Sequence, residues 1–498
     1  MKNIIVVGAG FSGSIIARRI AEDMNQKVRI IEKRNHIGGN AYDEYDENGI
    51  LIQKYGPHYL NTNNYNVIKY LKQFADLYPH DAKLLSYIDG EYIQLPFNFK
   101  TMQQLVGYEN SEILLKKMRE YFRGRDRVPI FEILQCEDKD ISNYGNLLFE
   151  KAFKTYTAKQ WGVNPNEIDR SVIDRVPMAM NFDERYLNKD FQYLVKKGFT
   201  SIFDNMLDHE NIEVIKNTNA MNFIKLEENH RISFNGDQID LLIYTGAIDE
   251  LFGYKYGILP YRSLDIHYDY YDMDSKLPCE IISYPQAEGY TRSTEYKKIT
   301  LNCDAKKTIV ATEYPCEYNP NDPKSNIPYY PTLTKESQEL YRLYLHEAEK
   351  YGNIVLCGRL AEFKYYNMDV CIEHALEKFE KIKKEHPFFS ITELTYLFLR
   401  EEIIHLHLPP KQKLNESRIA SSLAISRTPV RKALDQLLEE FLVEKNGKLY
   451  TVSSMSKSES LMLCEVRIAI EGHAVFLATS NINPSQLKRL EELTVTYE

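Results

Sequence analysis

The run Ile4-Ile5-Val6-Val7-Gly8-Ala9-Gly10-Phe11-Ser12-Gly13 limits what this chain can fold into, because of the residues that succeed it. A second apolar stretch, Val28-Arg29-Ile30-Ile31, ends at Glu32-Lys33-Arg34, and Gly38-Gly39-Asn40 come just after. An apolar, β-branched strand delivers the chain to a turn that glycine suits. The glycines let backbone N–H groups approach a diphosphate, and the next helix points its positive end at those phosphates. Glu32 stands about 20 residues on, where a carboxylate can accept hydrogen bonds from ribose hydroxyls. The order of strand, glycine turn, helix, strand and acid predicts a Rossmann-like dinucleotide fold. The second glycine pair favours FAD over NAD. Gly8, Gly10, Ser12, Gly13, Glu32, Lys33, Gly39 and Asn40 are therefore candidate cofactor residues.

A chain of 498 residues is too long for one core and implies several domains. No stretch reaches the apolar length of a membrane span, and the N-terminus enters a core strand at once, so a cleaved leader is not expected. The seven cysteines are scattered without a CxxC pair, which predicts reduced thiols in a cytoplasmic protein and no metal site. A net charge of -9 argues against nucleic-acid binding by the whole chain but leaves room for a local basic patch. Tyrosine is abundant, 37 against one tryptophan. A ring that buries while its hydroxyl stays wet suits nucleotide and sugar sites, although most single tyrosines are structural.

Along the chain, residues 1–60 read as βαβ plus a loop. Helical patterns come next, as at 112–122 and 142–155. Strand character returns at 213–215, 231–234 and 241–244, the last leaving through Thr245-Gly246. Residues 258–315 alternate as an antiparallel sheet. Ile354-Val355-Leu356 leads to Cys357-Gly358-Arg359 and a helix through Lys384. The fold class is thus α/β: a discontinuous FAD-binding Rossmann-like domain with helical and antiparallel-sheet insertions. The cofactor parts are about 1–85, 195–250 and 330–385, the helical insertion about 100–195 and the sheet insertion about 250–330. His386-Pro387 breaks the helix. Helical patterns at 391–405, 416–423, 429–440 and 458–480, and another from near Pro484, then describe a separate α-rich module.

Several segments of the first 385 residues belong together: Tyr55-Gly56-Pro57-His58, Leu95-Pro96-Phe97-Asn98, Tyr156-Thr157-Ala158-Lys159-Gln160-Trp161-Gly162, Tyr290-Thr291-Arg292, Glu313-Tyr314-Pro315 and the run from Gly358 to Asn367. With the cofactor fingerprint and Asn35–Tyr42, residues 1–385 resemble the bacterial UDP-galactopyranose mutases. The resemblance implies interconversion of UDP-galactopyranose and UDP-galactofuranose without net redox change, through a covalent adduct between galactose and N5 of reduced FAD. It implies that Arg175 and Arg292 bind the diphosphate, bidentately as guanidinium does. Tyr156 and Thr157 match the uridine-binding part and Trp161 the tryptophan near the substrate. Tyr186, Tyr330 and Tyr365 match tyrosines that hydrogen-bond the diphosphate, and Tyr314 is a further candidate. Glu313 matches an active-site glutamate, and His58 falls on the histidine loop beside the flavin, where an imidazole can tune the reduced state. Gly358 and Arg359 would help hold FAD. The family often has a second histidine where this chain has Asn61, and an aspartate where it has Asn367. Losing that carboxylate near a diphosphate removes repulsion, so activity with altered affinity is expected.

In the last 110 or so residues, Leu414–Ala420 and Ile425-Ser426-Arg427-Thr428-Pro429-Val430-Arg431-Lys432 resemble the winged helix-turn-helix of the GntR regulators. That places a DNA-binding domain at 390–455, with 441–444 and 449–452 as the wing. Lys411, Lys413, Arg418, Arg427, Arg431 and Lys432 stand against Glu416 alone. Ser426 can cap a helix starting near Pro429. Arg427 and Arg431 are four residues apart, so both can face the major groove; Arg418 and Thr428 complete the candidate DNA contacts. Residues 456–498 resemble the start of the helical sensor domain of one GntR subfamily. Both resemblances imply a homodimer. Two other classes stay open: a flavin-containing transcription regulator of the GntR type, and a flavin amine oxidase or monooxygenase, which shares the fingerprint but has no need of the tryptophan segment.

Overall fold

β-branched residues make the run Ile4–Val7 a strand, and its neighbours make it central. It pairs in parallel with Val28–Ile31 on one side and Leu241–Tyr244 on the other, Ile4 lying opposite both Val28 and Leu241. Ile212–Ile215 and Ile354–Leu356 complete a five-stranded parallel sheet as its edges. Sheets of this kind are covered on both faces, which is why these strands read as continuous apolar runs. Helix Phe11–Asp23 packs on one face with helices Thr200–Leu207 and Met368–Glu385. On the other face Ile5, Leu242 and Tyr244 share a core with Ile232 and Phe234 of a small antiparallel sheet.

This computed structural model describes residues 2–162, 177–186, 189–227, 230–301, 303, 305–385, 391–447, 449–454 and 456–482. The chain divides into two units, Met1–Pro387 and Phe388–Glu498. In the first, a seven-stranded sheet runs in the order Tyr330–Pro331, Tyr261–Tyr271, Thr308–Glu317, Arg292–Glu295, Ile281–Ser283, Leu84–Ile88, Glu91–Leu95. Two of its strands come from residues far ahead of 250. They are joined by Asp89-Gly90, both at positive φ, a hairpin turn in plain sight. The parallel pairing of Leu84–Ile88 with Ile281–Ser283 brings that hairpin into the sheet.

The helical layer starts at Asn98, whose side chain caps helix Phe99–Val106 in a capping box with Thr101. Helices Tyr108–Tyr121 and Lys139–Leu148 bury Leu115, Met118, Tyr144 and Leu148 against Phe97, Phe99 and Phe153. A wide π turn, Phe149–Lys154, leads into helix Thr155–Trp161 and resets its register just before Tyr156.

The second unit has its own core. Leu399, Leu414, Val430, Leu434, Leu437, Tyr450 and Val452 close helices Ile391–Ile404, Glu416–Ser422 and Arg427–Glu439 against a three-stranded sheet of Lys413–Leu414, Val443–Asn446 and Leu449–Val452. Helix Lys457–Asn481 comes last. The third helix starts at Arg427, two residues ahead of Pro429, with Ser426 in the N-cap position, but the Ser426 side chain makes no cap bond. The helix expected near Pro484 lies outside the described residues. Among the described residues no helix is long and apolar enough to cross a membrane. All seven cysteines are free.

Candidate active site

At the C-terminal ends of the parallel strands the chain forms a cradle. Gly8 turns there with φ of 100°, and a Cβ on it would sit 2.2 Å from Thr245 Oγ1. A Cβ on Gly13 would meet the Gly8 carbonyl at 2.0 Å, so that glycine is needed for helix packing instead of for lining. The backbones of Gly10 and Gly39 touch across the turn. No side chain caps the N-terminus of helix Phe11–Asp23, whose first N–H groups are left for a ligand. The cavity is lined by Gly8, Gly10, Ser12, Glu32, Lys33, Gly39, Asn40, His58, Thr245, Gly358 and Arg359.

Glu32 also works within the protein. Its carboxylate accepts hydrogen bonds from the Ala9 N–H at 2.8 Å and the Arg34 N–H at 2.9 Å, bracing the glycine turn from the tip of the second strand. A carboxylate has about four acceptor sites, so two remain for hydroxyls.

His58 is held from two sides. Its N–H donates to Gln53 Oε1 at 2.5 Å, and its ring Nδ1 lies 2.8 Å from the Gly56 carbonyl. A carbonyl can only accept, so Nδ1 carries the proton and Nε2 presents a lone pair. Burial pushes its pKa down to about 4, the Gly56 carbonyl opposing and Arg359 and Arg292 reinforcing. The imidazole is neutral at physiological pH.

Beyond His58 lies a cluster of cations and tyrosines. Arg292 and Glu313 face each other across adjacent strands and form a fork: Nε to Oε1 at 2.9 Å and Nη2 to Oε2 at 2.7 Å. Burial works against the guanidinium charge, Glu313 opposes it through its charge and its hydrogen bonds, and the pKa lies well above the usual range. Gly56 packs on this pair. Burial raises the phenols of Tyr156 and Tyr186, both within the field of Arg292, and pushes Tyr330 up to about 12. All three stay protonated donors. Tyr330 stacks on Tyr365 at 5.3 Å between ring centres, and Trp161 lies about 6 Å from both. The Arg359 guanidinium sits 5.3 Å and 5.5 Å from those two tyrosine rings. It also donates to the carbonyls of Tyr329 and Tyr366. Thr157 is buried on the same helix as Tyr156.

Four expectations fare differently. Arg175 lies outside the described residues. Tyr314 is not in the cluster: its ring packs on His267 and Tyr290, because neighbours on a strand point to opposite faces and Glu313 takes the inner one. Asn367 is exposed just ahead of helix Met368–Glu385. Asn61 donates to the Tyr59 carbonyl at 3.0 Å, a local bond. Two residues that the motifs do not explain are Lys159, inside the segment Tyr156–Gly162, and Gln53, outside every segment named above. The first cross-links backbone and the second anchors His58.

In the second unit Arg418, Arg427, Thr428 and Lys432 are exposed. Arg431 is exposed too, but it is also paired. Its guanidinium is forked on Glu416, Nη2 to Oε2 at 2.8 Å and Nε to Oε2 at 3.1 Å, so it ties two helices together instead of pointing free.

Comparison with known proteins places these features. Residues 151–365 match the family model for UDP-galactopyranose mutase, residues 6–74 that for an NAD(P)-binding Rossmann-like domain, and residues 392–448 that for bacterial regulatory proteins of the gntR family. The dTDP-fucopyranose mutase of Escherichia coli is 34% identical over 379 residues, 76% of this chain and 97% of the relative. A probable UDP-galactopyranose mutase of Klebsiella pneumoniae is 33% identical over 78% of this chain and 98% of its own length. A crystal structure of reduced UDP-galactopyranose mutase shares the fold with a TM-score of 0.56 at 15% identity, over 77% of this chain and 96% of that one.

Proposed function

The chain belongs to the UDP-galactopyranose mutase family and carries a C-terminal gntR-type helix-turn-helix domain, and from this premise we propose that it interconverts UDP-galactopyranose and UDP-galactofuranose on reduced FAD. One juxtaposition carries the reading. His58 and Arg359 line the dinucleotide cradle and at the same time lie against the cluster of Arg292, Tyr330 and Tyr365. A cofactor in the cradle and a nucleotide diphosphate in the cluster would meet there.

The residues fit FAD: the glycine turn admits a diphosphate, the uncapped helix N-terminus attracts it, and Glu32 and Lys33 line the ribose end. When bound and reduced, the flavin supplies a nucleophilic nitrogen for the anomeric carbon of the sugar. Everything else falls to the protein. Arg292, preset by Glu313, stabilises the charge that grows on UDP as the glycosidic bond breaks, and keeps the nucleotide close enough to return. Arg175 is proposed for the same task. Protonated Tyr156, Tyr186 and Tyr330 donate to phosphate oxygens without adding negative charge, and the Tyr365 hydroxyl is a further contact. Thr157 and Trp161 flank the nucleotide, and Asn367 supplies a neutral contact at the rim. Neutral His58, which lines the cradle, would offer Nε2 as an acceptor to the bound cofactor.

The test is conversion of UDP-galactofuranose to the pyranose by dithionite-reduced protein with no donor consumed per turnover. Failure to convert it would overturn the reading. The same assay includes dTDP-fucopyranose, since a relative of similar identity bears that name. Peroxide formed from oxygen and an amine would point to an oxidase instead. The gntR-type domain we take to bind DNA through Arg418, Arg427 and Thr428, with Arg431 in support. A mobility shift that weakens steeply with salt checks this. A cytoplasmic homodimer fits a DNA partner and free thiols, and light scattering tests the assembly.

A further inference from the structure

Lys159 is held in an unusual way for a surface-capable cation. Its ammonium donates to three backbone carbonyls, those of Tyr284 at 2.8 Å, Ala287 at 2.6 Å and Tyr290 at 2.9 Å. All three N–H vectors are occupied, and no carboxylate of a described residue pairs with it. Burial alone pushes its pKa down to about 8. The three carbonyls belong to one turn, which joins strand Ile281–Ser283 to strand Arg292–Glu295. The turn closes on itself through the Tyr284 N–H to the Thr291 carbonyl at 2.8 Å, and the Thr291 N–H reaches the Glu313 carbonyl at 3.0 Å. Arg292 is the next residue.

The backbone of Lys159 is fixed as well. Arg262, from the long strand Tyr261–Tyr271, donates to the carbonyls of Lys159 and Gln160 at 3.1 Å each. So one residue joins helix Thr155–Trp161, which carries Tyr156, Thr157 and Trp161, to the turn that delivers Arg292. A second tether holds the outer side of the turn: Gln286 and Asp89 exchange two hydrogen bonds of 2.9 Å. Loss of the ammonium therefore leaves the turn attached but frees its inner edge.

We propose that Lys159 is a positioning residue: by gathering three carbonyls of the 284–291 turn onto the tyrosine-bearing helix, it sets the reach of Arg292 into the diphosphate site. This rests on the reading of that site as one for a nucleotide diphosphate. A small displacement suffices, because a fork and a phosphate must meet within hydrogen-bond distance.

The test uses the full-length flavin-loaded protein and Lys159→Met, which keeps the stem of the side chain and removes the donors. UDP alone is the probe, so turnover is not required. Binding of UDP is expected to weaken about tenfold, with flavin content and absorption unchanged, and amide exchange of residues 284–292 is expected to speed up. In an Arg292→Ala background the Lys159→Met change should cost UDP affinity less than twofold, since Lys159 acts through Arg292. An equal tenfold loss in that background, or parental UDP affinity in Lys159→Met alone, overturns the proposal. If the parent protein binds no UDP at all, the diphosphate reading fails by itself, and the exchange measurement still decides: unchanged protection of 284–292 overturns the role given to Lys159.

Discussion

Arg292 and Glu313 show how one pair can serve both stability and chemistry. A buried fork leaves a charge uncompensated when one partner goes, which typically costs about 3–5 kcal/mol. The exposed fraction of the Arg292 side chain, 25%, places this pair at the lower end. Glu313→Gln is expected to lower unfolding stability by about 3 kcal/mol, measured by denaturant unfolding, and UDP should restore more stability to this variant than to the parent, because phosphate then balances the guanidinium. Arg292→Ala should lower turnover at least about 100-fold, the scale of one lost charge-stabilising donor, while flavin stays bound. Full turnover in that variant would take Arg292 out of the mechanism. His58 gives a pH prediction with a definite sign. The fold lowers its pKa from 6.5 to about 4, so the folded state binds fewer protons than the unfolded chain in that window. Its contribution is complete above about pH 6.5 and is lost as the pH falls toward 4. The imidazole carbon shift tracked by NMR should titrate near pH 4, and a midpoint near 6.5 would show that the ring is not held as described.

Elements differ in how much of them can be read from the chain. The strand, glycine turn and helix of residues 4–23 are legible because each step is local: β-branched residues, a positive φ at Gly8, a close helix contact at Gly13. The edge strands of that sheet are local apolar runs too, which is why three distant stretches are recognisable as one fold. The hairpin Leu84–Leu95 is different. Its turn is written in Asp89-Gly90, but nothing in those residues says that they pair with Ile281–Ser283, nearly 200 positions later. Lys159 is opaque for a related reason, since its partners are backbone carbonyls and any sequence supplies those. The alternation of Glu313 and Tyr314 is open to reading from the two-residue period of a strand. In the helix-turn-helix the spacing of Arg427 and Arg431 puts both on one face, yet only the three-dimensional structure reveals that Glu416 takes the second. The element-scale consequence is an asymmetry between them. Arg427→Ala is expected to weaken DNA binding more than Arg431→Ala does, and Glu416→Gln should strengthen it while steepening the salt dependence by about one counterion. Titrations of a labelled duplex at several salt concentrations give both slopes.

At the scale of the whole chain, two units with separate cores are proposed to carry two separate chemistries. The parallel sheet and its cradle are built from residues of the first unit, and the winged domain buries Val430, Leu434 and Tyr450 among its own residues. Substitutions in sites that share no partners add independently. Arg427→Ala should therefore weaken the DNA shift and leave turnover of the reduced protein within about 20% of the parent, while Arg292→Ala should lower turnover and leave the DNA shift unchanged. Both are read on the same preparations, with flavin absorption as the control for folding of the first unit. The cross terms are the informative ones. If adding duplex changes turnover, or if reducing the flavin changes the DNA affinity, the two chemistries are coupled, and by linkage any effect of a bound nucleotide on DNA affinity must appear equally as an effect of DNA on nucleotide affinity. Independence in all four measurements would instead make the helix-turn-helix a passenger of the mutase fold as far as catalysis is concerned, with its role confined to where on DNA the enzyme is held.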